Sequence, residues 1–215
     1  MKPVKKLWIG AFLLIQAVLY VLILTTGGQM LVLSSFGAIV LCFLFSLCAA
    51  GDRLIKLGMC FTVFADFCLV ICRPVEQLWG MIFFLVTQSS YAGRLHKMKK
   101  STGMLVARLG LIAAIEAVAL LVLRDKTDAL ALVSVCYYAL LATNIIHSFV
   151  AKDILFGVAL CLFILCDTVV GLQVAAGGYL QLAPWLERLL FMDFNLSWFF
   201  YLPSQVLIAL RSKKV

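Results

Sequence analysis

Three carboxylates, Asp66, Glu116 and Asp167, fall well inside long apolar runs of this 215-residue chain, in company with Gln88, Tyr91, Asn144, Gln173, Tyr201 and Gln205. An acid surrounded by hydrocarbon is costly, so each such residue marks a candidate site by default. At helical rise, Asp66 and Asp167 each stand about 20 Å from the inner ends of their runs, with Tyr201 at about 14 Å, Gln88 at about 10 Å and Gln205 at about 8 Å. Two acids at matched depth, with phenol and amide groups a turn or two below, are expected to line one polar cavity that suits a long, thin amphiphile. Paired carboxylates can divide proton donation from charge stabilisation or water activation. The amides and phenols also have a plain structural use, since an interhelical hydrogen bond in a membrane contributes about 0.6–2 kcal/mol. Glu116 has no matched partner and is assigned no role. Metal chemistry is not expected: a catalytic zinc draws about three ligands from side chains. The chain has only two histidines, His96 in a basic loop and His147 near the end of the sixth run, where it reads as an interfacial residue. There is no G-x-S-x-G elbow, no Walker loop and no G-x-G-x-x-G, so no nucleotide or other cofactor is expected.

The elements that must position these groups follow from composition. With 65% hydrophobic residues, 13% charged residues and a mean hydropathy of +1.11, the chain departs from the soluble globular pattern. Eight apolar runs, at about 7–24, 30–50, 54–72, 77–95, 104–123, 129–149, 154–175 and 194–210, have the length of bilayer-crossing helices. The fold expected is all-α: one polytopic transmembrane helical bundle filling residues 1–215. A β-barrel is excluded because nothing alternates with period two. The first run follows a basic start but is long for a signal core and lacks a small-residue cleavage site, so it counts as a span. The net charge of +8 resolves into topology. With the N-terminus inside, fourteen of the 18 Lys and Arg residues lie on the inner face and only Arg73, Arg124, Lys126 and Arg188 outside. That bias places both termini in the cytoplasm, as in a multi-pass protein of the bacterial inner membrane. The basic excess attracts anionic membrane lipid and is not a nucleic-acid footprint. All eight cysteines fall within spans and read as small packing residues.

The connections are short, which makes successive helices antiparallel neighbours. Within the longer outer segment Gly177 to Asp193, the stretch Trp185 to Met192 reads as a short interfacial helix, with Asp193 or Asn195 capping the last span. Pro203 lies inside that span and should free a backbone carbonyl. Lys56 and Arg108 sit close to span ends and are expected to snorkel to the surface as anchors. A four-plus-four repeat is also visible. Phe83-Phe84, Gln88 and Arg94 parallel Phe199-Phe200, Gln205 and Arg211, and Asp66 parallels Asp167.

Four segments carry a resemblance. Leu57 through Asp66 to Leu69 is similar to a third-span stretch that usually ends in Gly-Asp, here Ala65-Asp66. Gly80-Met-Ile-Phe-Phe84-Leu-Val-Thr-Gln88-Ser-Ser-Tyr91 resembles G-x-x-x-F-x-x-x-H-x-x-Y, with Gln88 where His is usual. Gly157 through Phe163 to Asp167 resembles G…F-x-x-S-D, with Cys166 for Ser. Tyr201-Leu-Pro-Ser-Gln205-Val-Leu-Ile208 is similar to Y-x-x-x-Q-x-L-I. In order and spacing, these resemble the YhhN-type lysoplasmalogenase family of eight-span membrane proteins.

The resemblance implies hydrolysis of the vinyl-ether bond of lysoplasmalogens, releasing a fatty aldehyde and glycerophospho-ethanolamine or -choline. The partner implied is an ether lysophospholipid. Asp66 and Asp167 would be catalytic, and Gln88, Tyr91, Tyr201 and Gln205 would bind substrate or water. Glutamine does not titrate near neutrality, so Gln88 cannot replace a proton-shuttling histidine. The residues also fit a different class, a small transporter or lipid-binding protein using paired intramembrane acids for protons or a cationic head group. The lack of paired Gly/Pro-broken spans speaks against transport.

Overall fold

The computed structural model describes residues 3–49, 51–100, 102–123, 128–176, 183–192 and 194–212. Lys2, Arg124, Lys126, Asp193, Lys213, Lys214 and the stretch 177–182 lie outside the described residues, and with them part of the charge count used above. The described chain is all-helical: α1 (Pro3–Thr25), α2 (Gly28–Cys48), α3 (Arg53–Asp66), a π-helical stretch Phe67–Ile71, α4 (Gln77–Met98), α5 (Thr102–Leu123), α6 (Ala129–Val150), α7 (Ile154–Ala176), α8 (Pro184–Leu190) and α9 (Leu196–Arg211). Among the described residues five stretches are long and apolar enough to cross a membrane: Leu7–Thr25, Gly28–Cys48, Arg53–Ile71, Ala129–Val150 and Ile154–Val174. This is what a multi-pass membrane protein requires. Helix α4 carries Gln88, two serines, Arg94 and His96, and α9 has only 16 residues. Helix α4 contributes four buried polar side chains to the core, Thr87, Gln88, Ser90 and Arg94, and α9 contributes Ser204 and Gln205.

Local chemistry sets the helix ends. Asp52 caps α3 by accepting from Leu54 N at 2.9 Å, Asp128 caps α6 through Ala131 N at 2.7 Å, and Asn195 caps α9 through Trp198 N at 3.4 Å. The short helix α8 matches the segment expected to lie at the interface. Pro203 has no N–H to give the Phe199 carbonyl four residues back. Tyr20 of α1 supplies the missing donor, its hydroxyl reaching Phe199 O at 3.0 Å.

The repeat is visible in the packing. Helix α3 packs on α4 as α7 packs on α9, α2 on α3 as α6 on α7, and α1 on α2 as α5 on α6; α4 crosses to α6 as α9 crosses to α2. Asp52 stands just before α3 and Asp153 just before α7, so each half places one acid at a helix start and a second, Asp66 or Asp167, fourteen residues on. At the basic end of the bundle Arg94 Nε meets Asp52 Oδ2 at 3.0 Å and Arg94 Nη2 meets Asp153 Oδ2 at 2.5 Å. Arg211 Nε holds Asp153 Oδ1 at 2.7 Å. The Arg94 guanidinium also lies 4.5 Å from the centre of the Phe156 ring. Burial pushes the Asp153 carboxyl up, but its hydrogen bonds and charge pairing with Arg94 and Arg211 outweigh this and hold it below the usual carboxylate range.

Two expectations for the basic residues are corrected. Arg108 does not snorkel: it is 8% exposed, and its Nε and Nη2 bond to Thr143 Oγ1 at 3.3 Å and Asn144 Oδ1 at 2.8 Å on α6. His147 is likewise buried rather than interfacial, with Nδ1 at 3.4 Å from Arg108 Nη2 and Nε2 at 3.2 Å from the Lys99 carbonyl. The reason is local: α5 packs chiefly on α6, whose polar residues 143, 144 and 147 share one face, so acceptors inside the bundle are nearer than water. Lys56 uses its ammonium group on the Leu47 carbonyl, at 3.1 Å near the C-terminal end of α2.

Candidate functional site

Asp66 is the last residue of α3, at the point where the helix widens into the π-helical stretch, and is 3% exposed. Such π turns recur at functional sites because they re-aim the residues around them. Its Oδ2 accepts from the Tyr201 hydroxyl of α9 at 2.7 Å. Asp167, just past the middle of α7, accepts at Oδ2 a short hydrogen bond from the Tyr137 hydroxyl of α6. No Lys or Arg lies within ion-pair reach of either acid among the described residues.

One aromatic cluster gathers the two acid–phenol pairs. Phe84 of α4 lies 5.7 Å from Tyr137, 6.4 Å from Tyr201 and 5.5 Å from Phe163, ring centre to ring centre. Phe163 of α7 lies 5.3 Å from Tyr201 and 6.5 Å from Tyr137. Acids from α3 and α7 thus converge on a common ring wall, with phenols from α9 and α6. Tyr137 is the residue that sequence reading passed over. Its only signal was its distance from Asn144, two helical turns along the same face of α6.

The remaining predicted residues sit below this pair, toward the basic end. Gln88 is fully buried. Its backbone carbonyl and Oε1 accept from Asn144 Nδ2 at 2.9 and 3.0 Å, and Asn144 in turn accepts from Arg108, so one amide joins α4, α5 and α6. Tyr91 packs edge-on against Phe156 at 5.2 Å and presses on Gly58, where an added Cβ would come within 2.2 Å of the ring. That contact explains why residue 58 has no side chain. Gln205 is fully buried on α9, and neither of its amide atoms has a partner among the described residues; Gln88 Nε2 and the Tyr91 hydroxyl share that condition. A polar group buried without a partner costs about 1–3 kcal/mol. Gln173 instead ties α7 to α8, donating to the Leu190 carbonyl at 2.7 Å. Glu116 lies on α5 with Oε2 buried and unpartnered among the described residues.

At the opposite end a cleft of about 520 Å³ opens between the end of α1, the start of α2, α8 and the start of α9, lined by Gln173, Asn195 and Trp198 among others. The Trp198 ring stands 5.1 Å from that of Tyr201, so one aromatic layer separates the cleft from the Tyr201–Asp66 pair. Among the described residues no group of three His, Cys, Asp or Glu side chains is arranged to hold a metal ion.

The order of these residues along the chain, and the helices that carry them, can be compared with known proteins. No curated protein and no solved structure matches the chain. The model of the YhhN family matches residues 29–212, which takes in α2 through α9 and with them both acid–phenol pairs, and the chain therefore belongs to the YhhN family.

Proposed function

We propose that this protein is a lysoplasmalogenase, a membrane hydrolase that cleaves the vinyl-ether bond of lysoplasmalogens to a fatty aldehyde and glycerophospho-ethanolamine or -choline. The observation that carries the reading is the meeting of two carboxylates, each held by a tyrosine hydroxyl, on one ring wall inside an apolar bundle. Family membership supports it. So does the cleft beyond Trp198, which offers an approach for an amphiphile.

The chemistry uses few groups. A protonated carboxyl of the pair delivers its proton to the β-carbon of the vinyl ether, and the π electrons form the new C–H bond. The α-carbon becomes an oxocarbenium centre, stabilised by the second, ionised carboxylate. Water adds to that carbon and gives its proton to a carboxylate. The hemiacetal then collapses, breaking the bond between the acetal carbon and the glycerol oxygen, which leaves as the alcohol while the aldehyde departs. Tyr137 and Tyr201 fix the carboxylates in place, and each leaves one carboxylate oxygen for substrate or water. Gln205, Gln88 and Tyr91 offer unpartnered donors and acceptors for water or the glycerol hydroxyl. Catalysis would run within an eight-span inner-membrane arrangement with both termini cytoplasmic, a topology that the charge distribution supports.

The test is aldehyde release by the purified full chain in detergent, with a lysoplasmalogen and its ester analogue offered side by side. Aldehyde from the vinyl ether alone supports the reading. No aldehyde at any pH or in any detergent overturns it in favour of paired acids that carry protons or bind lipid.

A further inference from the structure

A second polar centre lies at the basic end of the bundle, away from the paired acids. A pocket of about 260 Å³ opens there among α4, α5 and α6, lined by Ala92, Gly93, His96, Leu105, Arg108 and His147. Arg108 is the key member. It is 8% exposed, yet no carboxylate lies within 4.0 Å of it among the described residues. The other deeply buried arginine, Arg94, has two. Arg108 Nε and Nη2 are held by the neutral acceptors Thr143, Asn144 and His147, while Nη1 makes no bond to a described residue. His147 brings no negative charge. Its Nδ1 faces a guanidinium N–H and must accept, so the ring proton sits on Nε2 and is donated to the Lys99 carbonyl. A buried cation without a counter-charge is strongly unfavourable unless an anion completes it.

The geometry points to a binding site for a phosphate-bearing anion in this pocket, the headgroup of an anionic lipid or free phosphate. The Arg108 guanidinium is fixed on one side by α6 and presents its remaining edge to the ligand, the fork geometry that phosphate oxygens accept. His96 on α4 stands at the pocket rim as a second donor. The level also fits. Arg108 lies about 9 Å along α5 from its start, and His147 about 5 Å from the end of α6, which brings the long arginine side chain to the depth of lipid phosphates. The small residues Ala92 and Gly93 and the apolar Leu105 leave room for a glycerol backbone and the top of an acyl chain. Basic pockets of this kind between membrane helices take anionic headgroups.

The test measures binding without turnover. The full chain in detergent is titrated with phosphatidylglycerol, with diacylglycerol of the same chains, and with inorganic phosphate, read by native mass spectrometry and thermal unfolding. Phosphatidylglycerol should bind and raise the unfolding temperature, and diacylglycerol should not. Arg108→Gln, which loses the charge-assisted bonds, should weaken binding about tenfold or more. Leu105→Trp fills the pocket while leaving the Arg108 bonds to α6 intact, so it should unfold like wild type without lipid and lose lipid binding. Binding of inorganic phosphate that both variants abolish supports a site for soluble phosphate, whereas an effect confined to phosphatidylglycerol supports the lipid. Equal binding of diacylglycerol, or phosphatidylglycerol binding that Leu105→Trp leaves unchanged, overturns the proposal.

Discussion

The two halves of this chain each contribute two acids, and the bundle treats them in opposite ways. Asp52 and Asp153, at the starts of α3 and α7, are met by Arg94 and Arg211 from the ends of α4 and α9. Asp66 and Asp167, fourteen residues further along the same helices, are met only by the hydroxyls of Tyr201 and Tyr137. Guanidinium groups cancel charge and lock the basic end into one geometry. Phenols orient a carboxylate but leave it unneutralised, a state that packing alone does not maintain in an apolar interior. The lesson is that an acid in the bundle is read by its partner. An acid held by arginine is structural; an acid held by a neutral donor is available for proton chemistry.

The largest effect should come from removing the titrating proton of the phenol-held pair. Asp66→Asn or Asp167→Asn keeps shape and hydrogen-bonding capacity, so the protein should fold, while lysoplasmalogen turnover falls by about 10²–10⁴-fold. Wild-type aldehyde release from both variants would end the catalytic reading of this pair. The arginine-held acids should respond in stability instead. Asp153→Asn leaves Arg94 and Arg211 short of a counter-charge and should destabilise the protein by about 3–5 kcal/mol, with turnover per folded molecule unchanged. Thermal unfolding beside kinetics separates the two.

The pH dependence of stability sharpens the same contrast. The Asp153 carboxyl is held below its ordinary range in the folded protein, so its ion pairs contribute fully above the unfolded carboxylate value of about 3.9. The contribution is lost as pH falls through the folded value. Unfolding temperatures of wild type should therefore drop below about pH 4, and this component of the drop should vanish in Asp153→Asn. An identical acid profile in the two proteins would remove Asp153 from the account.

Smaller effects test the supporting groups. Tyr201→Phe and Tyr137→Phe keep the rings that pack on Phe84 and Phe163 but lose a hydrogen bond to a carboxylate, worth about 1.5–3 kcal/mol. Turnover should fall about tenfold or more, and the unfolding temperature should drop by several degrees, less than in Asp153→Asn. Gln88→His should change least, with turnover equal to or above wild type. A ring nitrogen can accept from Asn144 as Gln88 Oε1 does now. A large loss in Gln88→His would mean that the amide itself positions the substrate.

Much of this was legible in the chain. Runs of apolar residues of bilayer length fixed the long helices to within a few residues, because in hydrocarbon a backbone must satisfy its own hydrogen bonds and a helix does so locally. The distance of Asp66 and Asp167 from the starts of α3 and α7 followed from helical rise alone. Pro203 announced its orphaned carbonyl, though not that Tyr20 would fill it. Other features depend on how helices face one another, which no spacing encodes in a chain apolar on nearly every side. Tertiary packing decided that Tyr137, not a residue of the eighth apolar run, would hold Asp167. It also turned Arg108 inward to α6 and drew Arg94 onto both Asp52 and Asp153. The π turn after Asp66 is of the same kind, since Phe67–Ile71 holds no breaker to announce it. Local physics wrote which residues are deep and helical; only the crossing of distant helices settled which of them meet, because partners 30 to 135 residues apart leave no periodic trace in the sequence.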